Sequence, residues 1–373
     1  MTRVASTFLP VAEPVLSGRE REYVLRCLET GWISGSGEFV ERFEREFAEF
    51  CGTRYAIAVS NGTVALHLAL LALGVGPGDE VIVPDLTYIA TANAVGYCGA
   101  RPVFADVEAR TWCLDPSDVE RRITPATRAV VAVHLFGHPA DMDPLRELAA
   151  RHGLALLEDA AEAHGAEYRG HRAGSLSDVA TFSFYGNKVI TTGEGGMLTT
   201  NRSDLAEHMR LRRGQGMDPK RRYWFPVVGY NYRMTNIQAA IGVAQLERID
   251  WFLERRRQVA RQYAALLAGA GLTLPGEAEW ARNVYWLYSV VLPQGVDREL
   301  LMASLAEAGI ETRPFFVPMH ACPPYRQEDG EEQYPVSARL GNAGISLPSS
   351  ATLTEDDVAY VATTLKDCLR RHS

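Results

Sequence analysis

Lys188 stands between an aromatic run and a glycine-rich turn, in TFSFYGNKVITTGEGGML (residues 181–198). A lysine amine can form an imine with an aldehyde once its ammonium pKa is lowered or the aldehyde is activated. A lone lysine is usually a solvated surface charge. Here Phe182, Phe184, Tyr185 and Ile190 surround it in sequence, which argues for a partly enclosed site. Ser183, just upstream, could reach a phosphate on the same ligand. Asp159 closes the apolar run LALLEDA (154–160). In open α/β sheets ligands bind in the crevice beyond the strand ends. A carboxylate there is costly without a cation, and a protonated pyridine nitrogen is one such cation. A salt bridge to an arginine, or a cap for the next helix, is an equal alternative for Asp159.

Two more segments complete the set. SNGTVALHL (60–68) reads as a strand end, a turn and a helix start. Free N–H groups at such an end attract anions, and Gly62 permits close approach of a phosphate, with Thr63 beside it. Taken alone, an ordinary N-cap is the simpler reading. GYNYRMTNIQAAIG (229–242) interleaves polar residues with aromatics before an apolar helix. A cap by Thr235 or Asn236 accounts for the helix start and leaves Asn231 and Arg233 unexplained. Phosphate loop, strand-end aspartate, serine, lysine and polar loop, in that order, suit a pyridoxal-phosphate (PLP) site of the fold-type I kind. The GEGG turn lacks the G-x-G-x-x-G spacing and the later acidic residue of a dinucleotide fingerprint, which argues against a nicotinamide dehydrogenase.

The elements that must position these residues alternate along the chain. Strand-like runs are YAIAVS (55–60), DEVIVP (79–84), RPVFADV (101–107), RAVVAVHLFG (128–137), LALLEDA and VATFSF (179–184). Helical runs lie between them: 64–74, 89–99 and 143–153. Helices also precede them, at 17–29 and 38–50. This is the pattern of a mostly parallel sheet covered by helices, an α/β fold. GGMLTT (195–200) reads as a hairpin-like addition. A long helical stretch, 236–268, reads as a connector. Beyond it, YWLYSVVL (285–292) reads as an alternating strand, with helices at 298–309 and 356–371. The expected division is a large cofactor-binding domain, 1–250, and a small α+β domain, 251–373.

Composition sets outer limits. The chain has 373 residues, 47% hydrophobic and 23% charged, enough for two packed cores. A net charge of −8 disfavours nucleic acid as a partner. The six cysteines, Cys27, Cys51, Cys98, Cys113, Cys322 and Cys368, are scattered without metal-like spacing, so free thiols and no metal are expected. The N-terminal residues lack an apolar run of signal-peptide length, and no stretch approaches a membrane span. A cytoplasmic enzyme is the expectation.

EDAAEAHGA (158–166), FSFYGNKVITTGEGG and NYRMTNIQAAIG together resemble the DegT/DnrJ/EryC1/StrS family of sugar aminotransferases. The similarity runs from GWISGSGEFVERFEREFA (31–48) to ETRPFFVPMH (311–320). It implies a fold-type I PLP-dependent transferase, aspartate aminotransferase-like, cycling between PLP and pyridoxamine phosphate. It implies that Lys188 is the Schiff-base lysine and proton carrier and that Asp159 holds the pyridinium proton. Gly62, Thr63 and Ser183 would bind phosphate, and Tyr88, in DLTYIAT, would stack on the ring. Asn231 would reach the phosphate of the neighbouring subunit, making a homodimer with its sites at the interface. Glu162 would contact the ring hydroxyl. With GQGMDPKRRYWFPVVGYNYRMTN (214–236), a glutamate there is most similar to enzymes that aminate C4 of GDP-4-keto-6-deoxymannose with L-glutamate. Arg222, Tyr223, Arg313 and His320 are candidate sugar-nucleotide contacts; a solvated charge or a capped turn is an equal reading for each. A different keto sugar (dTDP- or UDP-linked, C3 or C4), a ketocyclitol, or a non-catalytic PLP sensor stays open. Family dehydratases carry histidine in place of the lysine, so Lys188 argues against that chemistry.

Overall fold

The computed structural model describes residues 8–372. Residues 1–7, part of the stretch read for a signal peptide, lie outside the described residues, as does Ser373. Seven strands form one sheet in the spatial order Tyr55–Val59, Gly196–Thr200, Val179–Ser183, Ala155–Asp159, Thr127–Val133, Glu80–Pro84, Arg101–Ala105. From Val179–Ser183 to Arg101–Ala105 neighbouring strands run parallel. Gly196–Thr200 pairs antiparallel with the preceding strand, as a hairpin-like addition should, and antiparallel also with Tyr55–Val59, so it lies within the sheet. The central strands are apolar runs because both faces are covered: Glu80–Pro84 is buried throughout and Thr127–Val133 nearly so.

Two apolar layers do the covering. On one face Phe39, Phe43 and Phe47 of the Glu38–Cys51 helix pack with Leu145 and Leu148 of Met142–His152 and with Val243 of Asn236–Leu246. On the other, Leu66 and Leu70 of the Gly62–Ala72 helix pack with Val95 of Ala90–Tyr97 and Met209 of Ser203–Arg213. Burying these stripes supplies most of the drive that turns amphipathic segments into stable helices. The Glu20–Thr30 helix stops where sequence places it, at Gly31, whose φ of 74° suits a left-handed cap.

Two expectations change. The stretch 236–268 is two helices, Asn236–Leu246 and Ile249–Leu267. The joint is held by tertiary bonds: Glu247 takes Tyr23 and Arg42, and Arg248 bonds Ser17. Those contacts outweigh the helical propensity that predicts a continuous rod. The run 285–292 contains the strand Tyr288–Val291, which is buried on both faces and shows no alternation of exposure. It belongs to a three-stranded sheet with Gly344–Leu347 and Arg313–Pro314. Tyr288 and Val290 pack with Leu365 of the Glu355–His372 helix, whereas Leu287 and Val291 join the layer of the large sheet. The alternation is therefore between two cores. Leu9 joins the C-terminal core, exchanging backbone hydrogen bonds with Gly309 and Glu311.

Candidate active site

A cavity of about 700 Å³ opens beyond the C-terminal ends of the parallel strands. Gly62, Thr63, Tyr88, Asp159, Glu162, Ser183, Lys188 and Arg313 all line it. They are delivered by several separate turns of the fold. At the Gly62–Ala72 helix, Asn61 Oδ1 accepts the Val64 N–H at 3.0 Å. The helix ladder starts only with Ala65 N–H to Asn61 O, so the amides of Gly62 and Thr63 face out of the helix end. A Cβ on Gly62 would stand 2.9 Å from Ser183 Cβ, so glycine is what lets the helix end and Ser183 close on one spot. Those donors and the helix dipole make an anion cradle.

Asp159 ends the strand Ala155–Asp159 and is almost wholly buried. Its Oδ2 accepts from Thr91 Oγ1 at 2.8 Å and its Oδ1 from the Ala161 N–H at 3.2 Å. Burial raises its pKa, while those two bonds and Lys188 pull the other way. A cationic ring nitrogen brought to this carboxylate would supply the countercharge that burial demands.

Lys188 Nζ lies 3.8 Å from Glu162 Oε1 and 3.9 Å from the centre of the Trp286 ring. Glu162 Oε2 accepts the Phe136 N–H at 2.7 Å. Phe136 holds φ at 52°, a left-handed value that a phenylalanine adopts only under constraint from its surroundings. Burial pushes Glu162 up to about 7 and Lys188 down, and the attraction between them opposes both shifts. A lysine with a lowered pKa has more free amine at neutral pH, which imine formation requires. The site thus offers an anion cradle, a buried carboxylate and an activated amine around one space, a donor set that fits PLP.

Behind the strand end a second network fixes the backbone. Ala140 N–H donates to His134 Nδ1, so that nitrogen is unprotonated and the proton sits on Nε2. His134 Nε2 then donates to Glu158 Oε2 at 3.0 Å, and Glu158 also receives Gly174, Leu176 and Ser177. His134 N–H donates to Asp159 O at 3.1 Å. His164, in the same motif, is enclosed by Phe182 and Phe184, and burial drops its pKa to about 3.

Four candidates lie away from the cavity. His320 is no rim contact: it is buried, its Nδ1 donates to Asp85 Oδ2 at 2.6 Å, and its ring stacks on Tyr334. It ties the segment carrying Tyr88 to the one carrying Arg313 and Phe316. Arg222 and Tyr223 are exposed, with the guanidinium over the ring, and neither lines the cavity. Asn231 is exposed and pairs by backbone with Gly214. Thr91, Phe136, Asn187, Trp286 and Phe316 are cavity residues that sequence reasoning missed. Trp286 and Phe316 come from the C-terminal part of the chain, and no local motif marks them. Among the described residues no cluster of His, Cys, Asp or Glu could hold a metal, and no helix is long and apolar enough to cross a membrane.

The family model for DegT/DnrJ/EryC1/StrS aminotransferases matches residues 14–366. The GDP-perosamine synthase of Caulobacter vibrioides is 55% identical over 365 residues, 97% of this chain and 98% of that protein. DesV of S. venezuelae, solved in complex with a ketimine intermediate, superposes with a TM-score of 0.92 at 38% identity, covering 99% of this chain and 100% of that one. Spr1654 of Streptococcus pneumoniae in its PLP-form superposes with a TM-score of 0.93 at 28% identity, covering 98% and 100%.

Proposed function

The chain belongs to the DegT/DnrJ/EryC1/StrS aminotransferase family and is a PLP-dependent enzyme, and from that premise we propose that it aminates C4 of GDP-4-keto-6-deoxy-D-mannose, with L-glutamate as donor, to give GDP-perosamine. The observation that carries the chemistry is Lys188 facing Asp159 and the Gly62–Thr63 helix end across one cavity. The full-length 55% identity to a GDP-perosamine synthase supports the choice of sugar nucleotide.

The residues divide the work as follows. When bound, PLP would supply an electron sink for the reacting carbon. Gly62, Thr63 and Ser183 bind its phosphate through N–H and hydroxyl donors. Asp159, braced by Thr91, holds the proton on the ring nitrogen. Tyr88, half-exposed beside Phe316, would cover the ring face. Glu162 would meet the ring hydroxyl. Lys188 would hold the cofactor through Nζ, and its amine, when free, would serve as the proton carrier of the site. Arg313, on the cavity wall, meets an anionic part of the substrates.

Asn231, Arg222 and Tyr223 face solvent in one chain. They serve the neighbouring site of a homodimer, Asn231 at its phosphate and the other two at its sugar nucleotide. A cytoplasmic location accords with six cysteines standing as free thiols.

The test is spectroscopic. L-glutamate bleaches the visible band of the lysine-bound cofactor, and after removal of excess donor GDP-4-keto-6-deoxymannose restores it. If glutamate bleaches the band and this sugar nucleotide leaves it bleached, the substrate assignment is wrong. If glutamate never bleaches it, glutamate is not the donor, or the protein is a sensor.

A further inference from the structure

Trp286 reaches the lysine from far along the chain and touches it twice. Its indole Nε1–H donates to the Asn187 carbonyl at 2.7 Å, fixing the peptide that leads into Lys188. Its ring centre lies 3.9 Å from Lys188 Nζ. The tryptophan is itself anchored. Arg256, buried and with no carboxylate in ion-pair range among the described residues, donates from Nη1 to Trp286 O at 2.7 Å and to Ser349 O at 3.0 Å. Phe136 stacks on the indole with ring centres 6.4 Å apart.

The competing partner for the ammonium is Glu162. At 3.8 Å it stands beyond ordinary hydrogen-bond range, and its other oxygen is held by the Phe136 N–H. The lysine therefore rests on a π-face while the carboxylate is kept at a distance. A ring face attracts only the ammonium form, and weakly compared with a buried ion pair. That suits a group that must gain and lose a proton in each cycle.

We propose that Trp286 is a positioning residue for Lys188, its N–H pinning the preceding peptide and its ring face holding the free ammonium ready over the cavity. This inference rests on the reading of Lys188 given above. Burial already lowers the lysine pKa, and loss of the ring would lower it further.

The test uses Trp286→Phe, which keeps a ring and drops the N–H, and Trp286→Leu, which drops both. The first readout is carbamylation of Lys188 by cyanate in cofactor-free protein across pH, followed by peptide mass. It reports the free amine whether or not the lysine binds PLP. Trp286→Leu is expected to show a roughly two- to thirtyfold lower proton affinity at Lys188, and Trp286→Phe a profile near wild type. The second readout is steady-state kinetics of the holoenzyme. Trp286→Phe is expected to lose roughly tenfold in kcat with KM for glutamate unchanged, the signature of lost orientation. A Leu variant with the wild-type carbamylation profile would overturn the ring's role. A Phe variant with wild-type kcat would overturn the role of the N–H. A wild-type protein that reacts with cyanate and never binds PLP through Lys188 would instead sink the reading of the lysine.

Discussion

Glu162 and Lys188 face each other across 3.8 Å on the inner wall of the cavity, each driven by burial toward its neutral form. In Glu162→Gln an oxygen remains for the Phe136 N–H and the charge is gone. The carboxylate now favours the ammonium, so its removal lets the neutral amine form at lower pH. The pH midpoint for PLP capture by the cofactor-free protein should therefore move toward acid, by on the order of one unit. A midpoint that stays put or moves toward alkali contradicts this account of the pair.

Thr91 is the direct brace of the Asp159 carboxylate, at 2.8 Å. Thr91→Val keeps the shape and removes the donor. A hydrogen bond to a charged group contributes about 1.5–3 kcal/mol, so kcat should fall roughly tenfold to a hundredfold while PLP still binds. Asp159→Asn, which cannot hold the ring proton as a carboxylate does, should lose more. Equal effects of the two changes would show that Thr91 does not act through Asp159.

Asp85 and His320 staple two walls of the cavity. The His320 N–H and ring both donate to the carboxylate, and Met319 N–H donates to Asp85 O at 2.7 Å. Burial lifts Asp85 from 3.8 to about 6, against the pull of His320. A carboxyl raised in the fold binds its proton more tightly folded than unfolded. Its contribution thus favours the folded state most below about 4, and declines as pH climbs to about 6. Thermal midpoints of Asp85→Asn should lose that decline. His320→Ala should cost more, about 3–5 kcal/mol by urea unfolding, because it strands a buried carboxylate. Wild-type stability in His320→Ala would remove the staple from the account.

The strand-end and helix-end residues are legible in the amino-acid sequence. Asp159, Gly62, Thr63, Ser183 and Lys188 each sit where an apolar run meets a turn, and the fold sends all those turns to the C-terminal end of the parallel strands. Thr91, Phe136 and Trp286 are not legible in that way. Their places depend on a crossover helix, on a phenylalanine held at φ 52°, and on a chain that returns from the C-terminal part. Nothing local encodes such contacts. His320 misleads because a histidine in a polar-looking segment resembles a ligand contact, while its partner Asp85 lies far away in sequence. The helix break at 247–248 escapes for the same reason: Tyr23, Arg42 and Ser17 create it.

In the proposed reaction Lys188 mediates transfer of the glutamate nitrogen to C4 of the sugar nucleotide. Heavy-nitrogen L-glutamate, GDP-4-keto-6-deoxymannose and holoenzyme should yield a GDP-amino sugar carrying the label on C4 by mass spectrometry and NMR. Lys188→Ala should yield less by at least a factor on the order of 10². Unlabelled product, label on C3, or labelled product formed equally by Lys188→Ala would contradict it.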